Sequence, residues 1–249
     1  MKRYVLLIMS AVMCMSLAAC KKPLNDVIDK EISEEIVEEI NFEEVDISDY
    51  ENDKLYQQIT YPVVTVKGIN ISKSALDDMN KKLKDAAEKF KEANKDDVRL
   101  YMDEYYKENG EDAGERFYLH QVEMNIITNS DKYLSITSRT DENLLGAHGT
   151  YVIEGWNFDK TTGNRISIFD LVKNKDDLKN YILKWCEDHK EELSIDETYK
   201  DTIDKYFNGE YELAFYIDNE DVLITFQVYD IAPYAVGPIE IKLDNSLLK

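Results

Sequence analysis

Hydrophobic and polar positions recur along most of this chain with readable periods. Leu55 to Val66 (LYQQITYPVVTV) is a run of β-formers, with Pro62 marking an edge or a bulge. Gly68-Ile69-Asn70 turns the chain. A helix is predicted from Ser74, where Asp77 completes a capping-box pattern. Leu76, Met79, Leu83, Ala86, Ala87 and Phe90 then recur at spacings of three and four, which puts them on one helical face. The pattern weakens at Asn94 to Asp97 and resumes at Val98, Tyr101 and Tyr105. One long helix or two with a break both satisfy it, and Asn109-Gly110 ends the unit.

Beyond that point the period changes to two. Tyr118, His120, Val122, Met124 and Ile126 share one strand face, and Asn129-Ser130-Asp131 is a turn into a paired strand from Tyr133. A third strand follows the glycine-hinged stretch Gly146-Ala147-His148-Gly149 and ends at Asp159. A fourth, Arg165 to Ile168, lies across the Thr162-Gly163-Asn164 turn, which predicts an antiparallel meander. Helical stripes return at Leu178, Ile182, Trp185 and Cys186, and at Tyr199, Ile203, Tyr206 and Phe207. A hairpin over Asp218 to Asp221, a rigid loop from Ala232 to Pro238 and a last strand from Ile239 to Leu243 complete the chain. The expected class is α+β: antiparallel sheets with helices packed on one face, in two small paired domains at 54–140 and 141–249.

Composition adds location to this picture. The chain has 249 residues, 43% of them hydrophobic, and a formal charge of −21. Such an acidic protein does not bind nucleic acid by bulk electrostatics, because the phosphates repel it. Lys2 and Arg3, an apolar run from Tyr4 to Met15, and Leu17-Ala18-Ala19-Cys20 follow one another at the start. A basic head, a short apolar core and small residues describe a signal peptide over 1–19. The cysteine directly after Leu-Ala-Ala resembles the lipobox of bacterial lipoproteins, which implies lipidation at Cys20, a membrane partner through that lipid, and the extracytoplasmic face of the cell membrane. Cys14 would then leave with the signal, so that Cys186 is the one remaining thiol and an internal disulfide is excluded. Between Asn25 and Asp53 thirteen acids face the single Lys30. That charge density predicts an extended spacer over 20–53, although Ile28, Ile32, Ile36 and Ile40 recur every four residues.

Gly146-Ala147-His148-Gly149, the Asn157-Phe158-Asp159…Thr162-Gly163 turn, Phe169-Asp170-Leu171 and Tyr229-Asp230-Ile231-Ala232-Pro233-Tyr234-Ala235 occur in that order. Over roughly 55–249 the chain resembles bacterial envelope proteins that carry two paired domains of unknown function. Those domains form the outer part of a lysozyme-sensing anti-sigma factor, and they precede the catalytic domain in one class of peptidoglycan deacetylase. The chain departs from both: it has a lipobox-like stretch where the anti-sigma factor has a membrane span, and it lacks the deacetylase's metal-ligand set of Asp-Asp combined with His-x-x-x-His. The resemblance implies a binding module whose ligand is peptidoglycan or a cationic wall-degrading protein such as lysozyme.

His148 is the leading candidate contact, since glycines on both sides expose the ring for ligand contact or proton transfer. The competing reading is a tight inter-strand loop in which the ring satisfies backbone carbonyls. Tyr234 and Trp156 can stack on sugar faces, and Asp159 joins them from the turn; a core position competes for Trp156 and a corner lock for Tyr234. His120 falls on an apolar strand face and reads as a core residue. Cys186 and His189 have half of a zinc spacing, but no second pair accompanies them and no metal or cofactor is expected. Gly-x-Ser-x-Gly, His-Glu-x-x-His and phosphate-binding glycine loops are all absent, so a non-enzymatic role is expected. An envelope hydrolase or deacetylase using His148, and a purely structural lipoprotein, are the alternatives.

Overall fold

The computed structural model describes residues 37–51, 54–110 and 116–249. The Leu-Ala-Ala-Cys20 stretch and Ile28, Ile32 and Ile36 lie outside them. β1 (Glu39–Asp46) and β2 (Asp49–Glu51) pair with β3 (Lys54–Lys67), and α1 (Lys73–Asn109) then crosses over to β4 (Tyr118–Asn129). From there β5 (Tyr133–Asn143), β6 (Thr150–Asp159) and β7 (Asn164–Arg165) form the expected meander. The sheet order is β1-β3-β4-β5-β6-β7, with β2 also beside β3. Every pair is antiparallel except β3 and β4, because the helical crossover brings the chain back in the same direction. The sheet runs on past residue 141, where the sequence pattern begins the C-terminal domain.

Two expectations are corrected at this level. Residues 39–51 belong to the sheet and not to a spacer. All eight residues of β1 pair with β3, and Ile40, Phe42 and Val45 pack on the core under α1. The exposed Glu39, Glu43 and Glu44 point to solvent, so the charges do not oppose folding of the strand. The helix also begins one residue earlier, at Lys73, and of the two readings left open the single long helix holds. Ser72, not Ser74, is its cap, with Oγ accepting from the Ala75 amide at 3.3 Å. Through the polar stretch Asn94 bonds back to the Phe90 carbonyl at 2.8 Å, and Val98 and Met102 continue the buried face.

The second layer begins with α2 (Ile168–Leu171), α3 (Lys175–His189) and α4 (Tyr199–Asn208). Asn174 caps α3 by accepting from the Asp176 and Asp177 amides, and Gly209, at φ 82°, closes α4 in the left-handed region that glycine tolerates. β8 (Ala214–Asp218), β9 (Asp221–Phe226) and β10 (Ile239–Lys242) form a small antiparallel sheet in the order β10-β9-β8. Its alternating Phe215, Ile217, Ile224 and Ile241 bury one face against Leu178, Ile182 and Ile203 of the helices. Together the elements make an α+β fold in which each sheet carries helices on one face. Among the described residues no helix is long and apolar enough to cross a membrane.

The two layers meet where β8 lies across the large sheet. β8 is an edge strand, and side chains of the large sheet satisfy its outward backbone groups. Asn157 donates to the Phe215 carbonyl at 2.7 Å, Ser135 Oγ accepts from the Ile217 amide at 2.9 Å, and Thr128 Oγ1 accepts from the Asn219 amide at 2.9 Å. Ser135 also donates to Asn157 at 2.7 Å, and both are fully buried. The backbones approach so closely that a Cβ on Gly155 would lie 1.6 Å from the Phe215 carbonyl oxygen. Gly155→Ala should therefore cost about 3 kcal/mol or more, the range of severe core disruption. Gly146→Ala, whose Cβ meets nothing nearer than 3.9 Å, is expected to stay within about 0.5 kcal/mol. Urea denaturation of the two variants checks this, and equal losses would contradict the close approach.

Candidate functional site

The β5–β6 connection, residues 144–149, is shaped by two backbone constraints. Leu145 adopts φ 58°, with its amide held by Asn143 Oδ1 at 2.8 Å. A Cβ on Gly149 would come within 2.9 Å of the Glu142 carbonyl oxygen, so this position accepts only glycine without a shift. Between them His148 is exposed. Its Nδ1 lies 2.8 Å from the Gly149 carbonyl oxygen and so carries the proton. Nε2 is then the acceptor for the Tyr229 hydroxyl at 3.3 Å.

The imidazole is one member of a surface aromatic cluster. It stacks on Tyr234 with centroids 4.3 Å apart and planes at 24°. Tyr229 lies 5.5 Å from Tyr234, and Tyr151 presents its edge to Tyr234 at 6.2 Å. Arg139 covers Tyr151 at 4.0 Å while paired with Asp141 at 2.7 Å. Tyr229 is 60% exposed, which is unusual for a ring held in a cluster.

Groups beneath the surface fix these rings. Tyr229 has φ 69°, a left-handed conformation that a bulky residue adopts only when its surroundings impose it. The neighbouring Asp230 imposes it by accepting hydrogen bonds from the Gln227 amide at 2.7 Å and from the buried Tyr206 hydroxyl. Burial raises the Asp230 carboxyl above its ordinary range, against those two hydrogen bonds. Burial and the bond to Asp230 raise the Tyr206 phenol. Gln227 in turn pairs its amide with both backbone groups of Ile153, at 2.8 and 2.7 Å, so the turn is tied to β6.

Of the residues expected from the sequence, the structure joins His148 and Tyr234 and separates the others. Trp156 is 1% exposed, with its indole N–H donating to Ser138 Oγ at 2.9 Å, so it belongs to the core and not to a ligand surface. Its place on β6 faces α1, away from the cluster. Asp159 is committed to its own turn, accepting from the Thr161 hydroxyl and from the Thr161 and Thr162 amides. That turn is fastened to the start of α1, where the Ser72 amide donates to the Gly163 carbonyl at 2.6 Å. His120 is buried as expected, paired with Glu142 at 2.9 Å. His189 donates to the Trp185 carbonyl and stacks on the Trp185 ring. Burial pushes the Cys186 thiol up to about 12, which leaves it protonated. No group of three or more His, Cys, Asp or Glu among the described residues is placed to hold a metal ion.

Tyr229, Tyr151 and Arg139 are the members of the cluster that sequence reasoning did not single out. Tyr229 opens the Tyr229-Asp230-Ile231-Ala232-Pro233-Tyr234 stretch, five residues ahead of Tyr234. No sequence pattern marks its left-handed backbone, which Asp230 holds through the Gln227 amide and the Tyr206 hydroxyl on α4.

These features define a class: an α+β protein that displays clustered aromatic rings on the loop side of a large mixed sheet. Residues 169–246 match the model of a family described as "Protein of unknown function (DUF3298)". That stretch contains Tyr229 and Tyr234 but not His148 or Tyr151. The crystal structure of a DUF3298 family member from Bacteroides fragilis NCTC 9343 is similar, with a TM-score of 0.54 at 20% identity over 86% of this chain and 94% of that one. A DUF3298 family protein from Pseudomonas aeruginosa PAO1 gives a TM-score of 0.47 at 13% identity, over 86% of this chain and 94% of that one. No curated protein matches the chain.

Asp159 offers a pH test of the turn that positions α1. Hydrogen bonds from Thr161, led by the hydroxyl, outweigh partial burial and hold its carboxyl below the ordinary 3.8. A depressed folded pKa gives stability that is present above the unfolded value and lost as pH falls through the folded one. The stability gap between the parent and Asp159→Asn is therefore expected to be full near about pH 6 and to close below 3.8. A gap that stays constant with pH, in urea titrations, would remove the charge from this account.

Proposed function

We propose that this protein is a lipid-anchored, extracytoplasmic binding module that recognises the glycan of the cell wall through the His148–Tyr229–Tyr234 cluster. The observation that carries the reading is the clustering of the exposed His148 and Tyr229 rings on the half-buried Tyr234. Apolar ring faces with polar tips suit a sugar, which offers an apolar C–H face and a rim of hydroxyls. The resemblance to the outer domains of envelope proteins supports the same ligand class, and the lipobox-like Leu-Ala-Ala-Cys20 supports the location. The reading includes no catalytic step. A cationic wall-degrading protein such as lysozyme is the second reading, motivated by the net charge of −21. Salt separates the two, because screening weakens charge-driven association and leaves stacking intact.

Sedimentation with insoluble peptidoglycan tests the first reading. Tyr234→Ala and Tyr229→Ala should each weaken retention roughly fivefold, equivalent to about 1 kcal/mol for one aromatic contact. Retention that is unchanged in both variants would exclude the cluster as the glycan site. Retention by lysozyme alone, abolished at high salt, would favour the second reading. For the anchor, Cys20→Ala is expected to end incorporation of labelled fatty acid and to move the protein from the membrane to the soluble fraction. Labelling that persists in that variant would remove Cys20 as the lipid site.

A further inference from the structure

β8 covers only part of the large-sheet face that it crosses. Ser135 lies under it, fully buried and bonded to the Ile217 amide. Four residues further along β5, on the same face, the Arg139 side chain is 46% exposed. The register sets Asp141 between Gln121 of β4 and Tyr151 of β6, and Arg139 beside Glu123. Val122, Leu134 and Ile136, the alternate residues, belong to the core under α1, so these side chains floor the opposite face. The floor is polar and already ordered. Arg139 donates to both carboxylate oxygens of Asp141 through Nε and Nη2, at 2.7 to 3.1 Å. Gln121 Nε2 donates to Glu123 Oε1 at 3.5 Å. The Nη1 donors of Arg139 have no acceptor among the described residues. Tyr151 joins this floor to the aromatic cluster, since it carries the Arg139 guanidinium at 4.0 Å and presents its edge to Tyr234 at 6.2 Å.

We propose that the site holds an internal stretch of a glycan chain, with one sugar on the His148–Tyr229–Tyr234 rings and the next ones over Tyr151, Arg139 and Gln121. Arg139 is the residue that reads those further sugars, by donating to their hydroxyl or acetamido oxygens. The inference rests on the glycan reading of the cluster and adds to it the length of chain required. One ring platform serves the apolar face of one sugar, whereas the hydroxyl rims of its neighbours need donors and acceptors in fixed places. The floor supplies both: carboxylates and an amide oxygen accept, and a guanidinium and an amide nitrogen donate. Because the Asp141 pair and the Tyr151 ring already hold the guanidinium, little side-chain freedom is lost on binding. From Tyr151 across β5 to Gln121 is two strand spacings, about 10 Å, which accommodates more than one sugar ring. Glu123 and Asp141 outnumber Arg139 here, which favours an uncharged chain over a polyanionic one.

Proton–nitrogen spectra of the full chain, titrated with N-acetylglucosamine and with its linear hexamer, test the length requirement. Six sugars in place of one raise affinity about sixfold by statistics alone. The hexamer should exceed this and bind at least thirtyfold more tightly than the single sugar. Arg139→Ala should weaken the hexamer at least fivefold and leave the single sugar within twofold. Gln121→Ala, which keeps Arg139 on Tyr151, should weaken the hexamer alone about threefold, the range of one neutral hydrogen bond. A hexamer that gains no more than the statistical factor, yet is weakened by Tyr234→Ala, would overturn the extended site and leave the glycan reading standing. Equal weakening of both ligands in Arg139→Ala would also overturn it, because a residue that only steadies Tyr151 acts on every ligand alike. No saturable shift with either ligand would sink the extended site and the glycan reading together.

Discussion

The crossing of β8 over the large sheet at Gly155 is the constraint on which the rest of the molecule depends. Two sheets packed face to face normally keep about 10 Å between them, filled by side chains. Here an edge strand instead sets its backbone directly on a sheet face, and glycine is the residue that leaves room. The unpaired backbone of an edge strand buried there would be costly without partners. Asn157, Ser135 and Thr128 supply those partners from the face below. The helices of the second layer then have a fixed sheet to pack on, and the turn at Gln227 to Asp230 falls beside β6. The position of the aromatic cluster follows from that chain of contacts.

Charge is arranged in the same economical way. Lys82 and Arg165 both lie over the Trp156 ring, at 5.3 and 4.5 Å, and share Glu212. Partial burial opposes the charge on Lys82, but the hydrogen bond to Glu154 and the field of Glu212 outweigh it and raise its pKa. The network joins α1, β6, β7 and the segment just before β8 around one indole. At the opposite edge the acids of β1 have another effect. An exposed strand edge invites pairing with another chain, and a row of carboxylates discourages it. Residues 39–46, read from sequence as part of a charged spacer, are thereby a strand protected by its own charge.

Much of the architecture was legible because local periods were strong. The meander from Tyr118 to Arg165, the apolar face from Met79 to Phe90 and the hairpin over Asp218 to Asp221 each follow from side-chain spacing alone. What local spacing did not show was set by tertiary contacts. β1 is hidden because its apolar residues are few and matter only once β3 is beside them. The parallel pairing of β3 and β4 depends on where the helix delivers the chain. At the site, His148 and Tyr234 were marked by glycines and by a proline-bearing loop. Tyr229 was not, because its backbone is set by Asp230 and Tyr206. Trp156 attracted attention as one of two tryptophans, yet its place on the alternating strand already pointed inward. No local pattern could have distinguished Asp159 as a ligand contact from Asp159 as the lock of its own turn.

One contact of modest appearance fixes where the first described strand begins. Glu38, immediately before β1, is bound to Lys160 at 2.7 Å and to Asn129 at 3.0 Å. This places the start of β1 beside the β4–β5 and β6–β7 turns. The aromatic rings sit at the other end of β5, beyond Asn143. Eleven residues of strand separate the two ends, a span of about 30 Å. The start of the first described strand and the aromatic rings therefore occupy opposite ends of the large sheet.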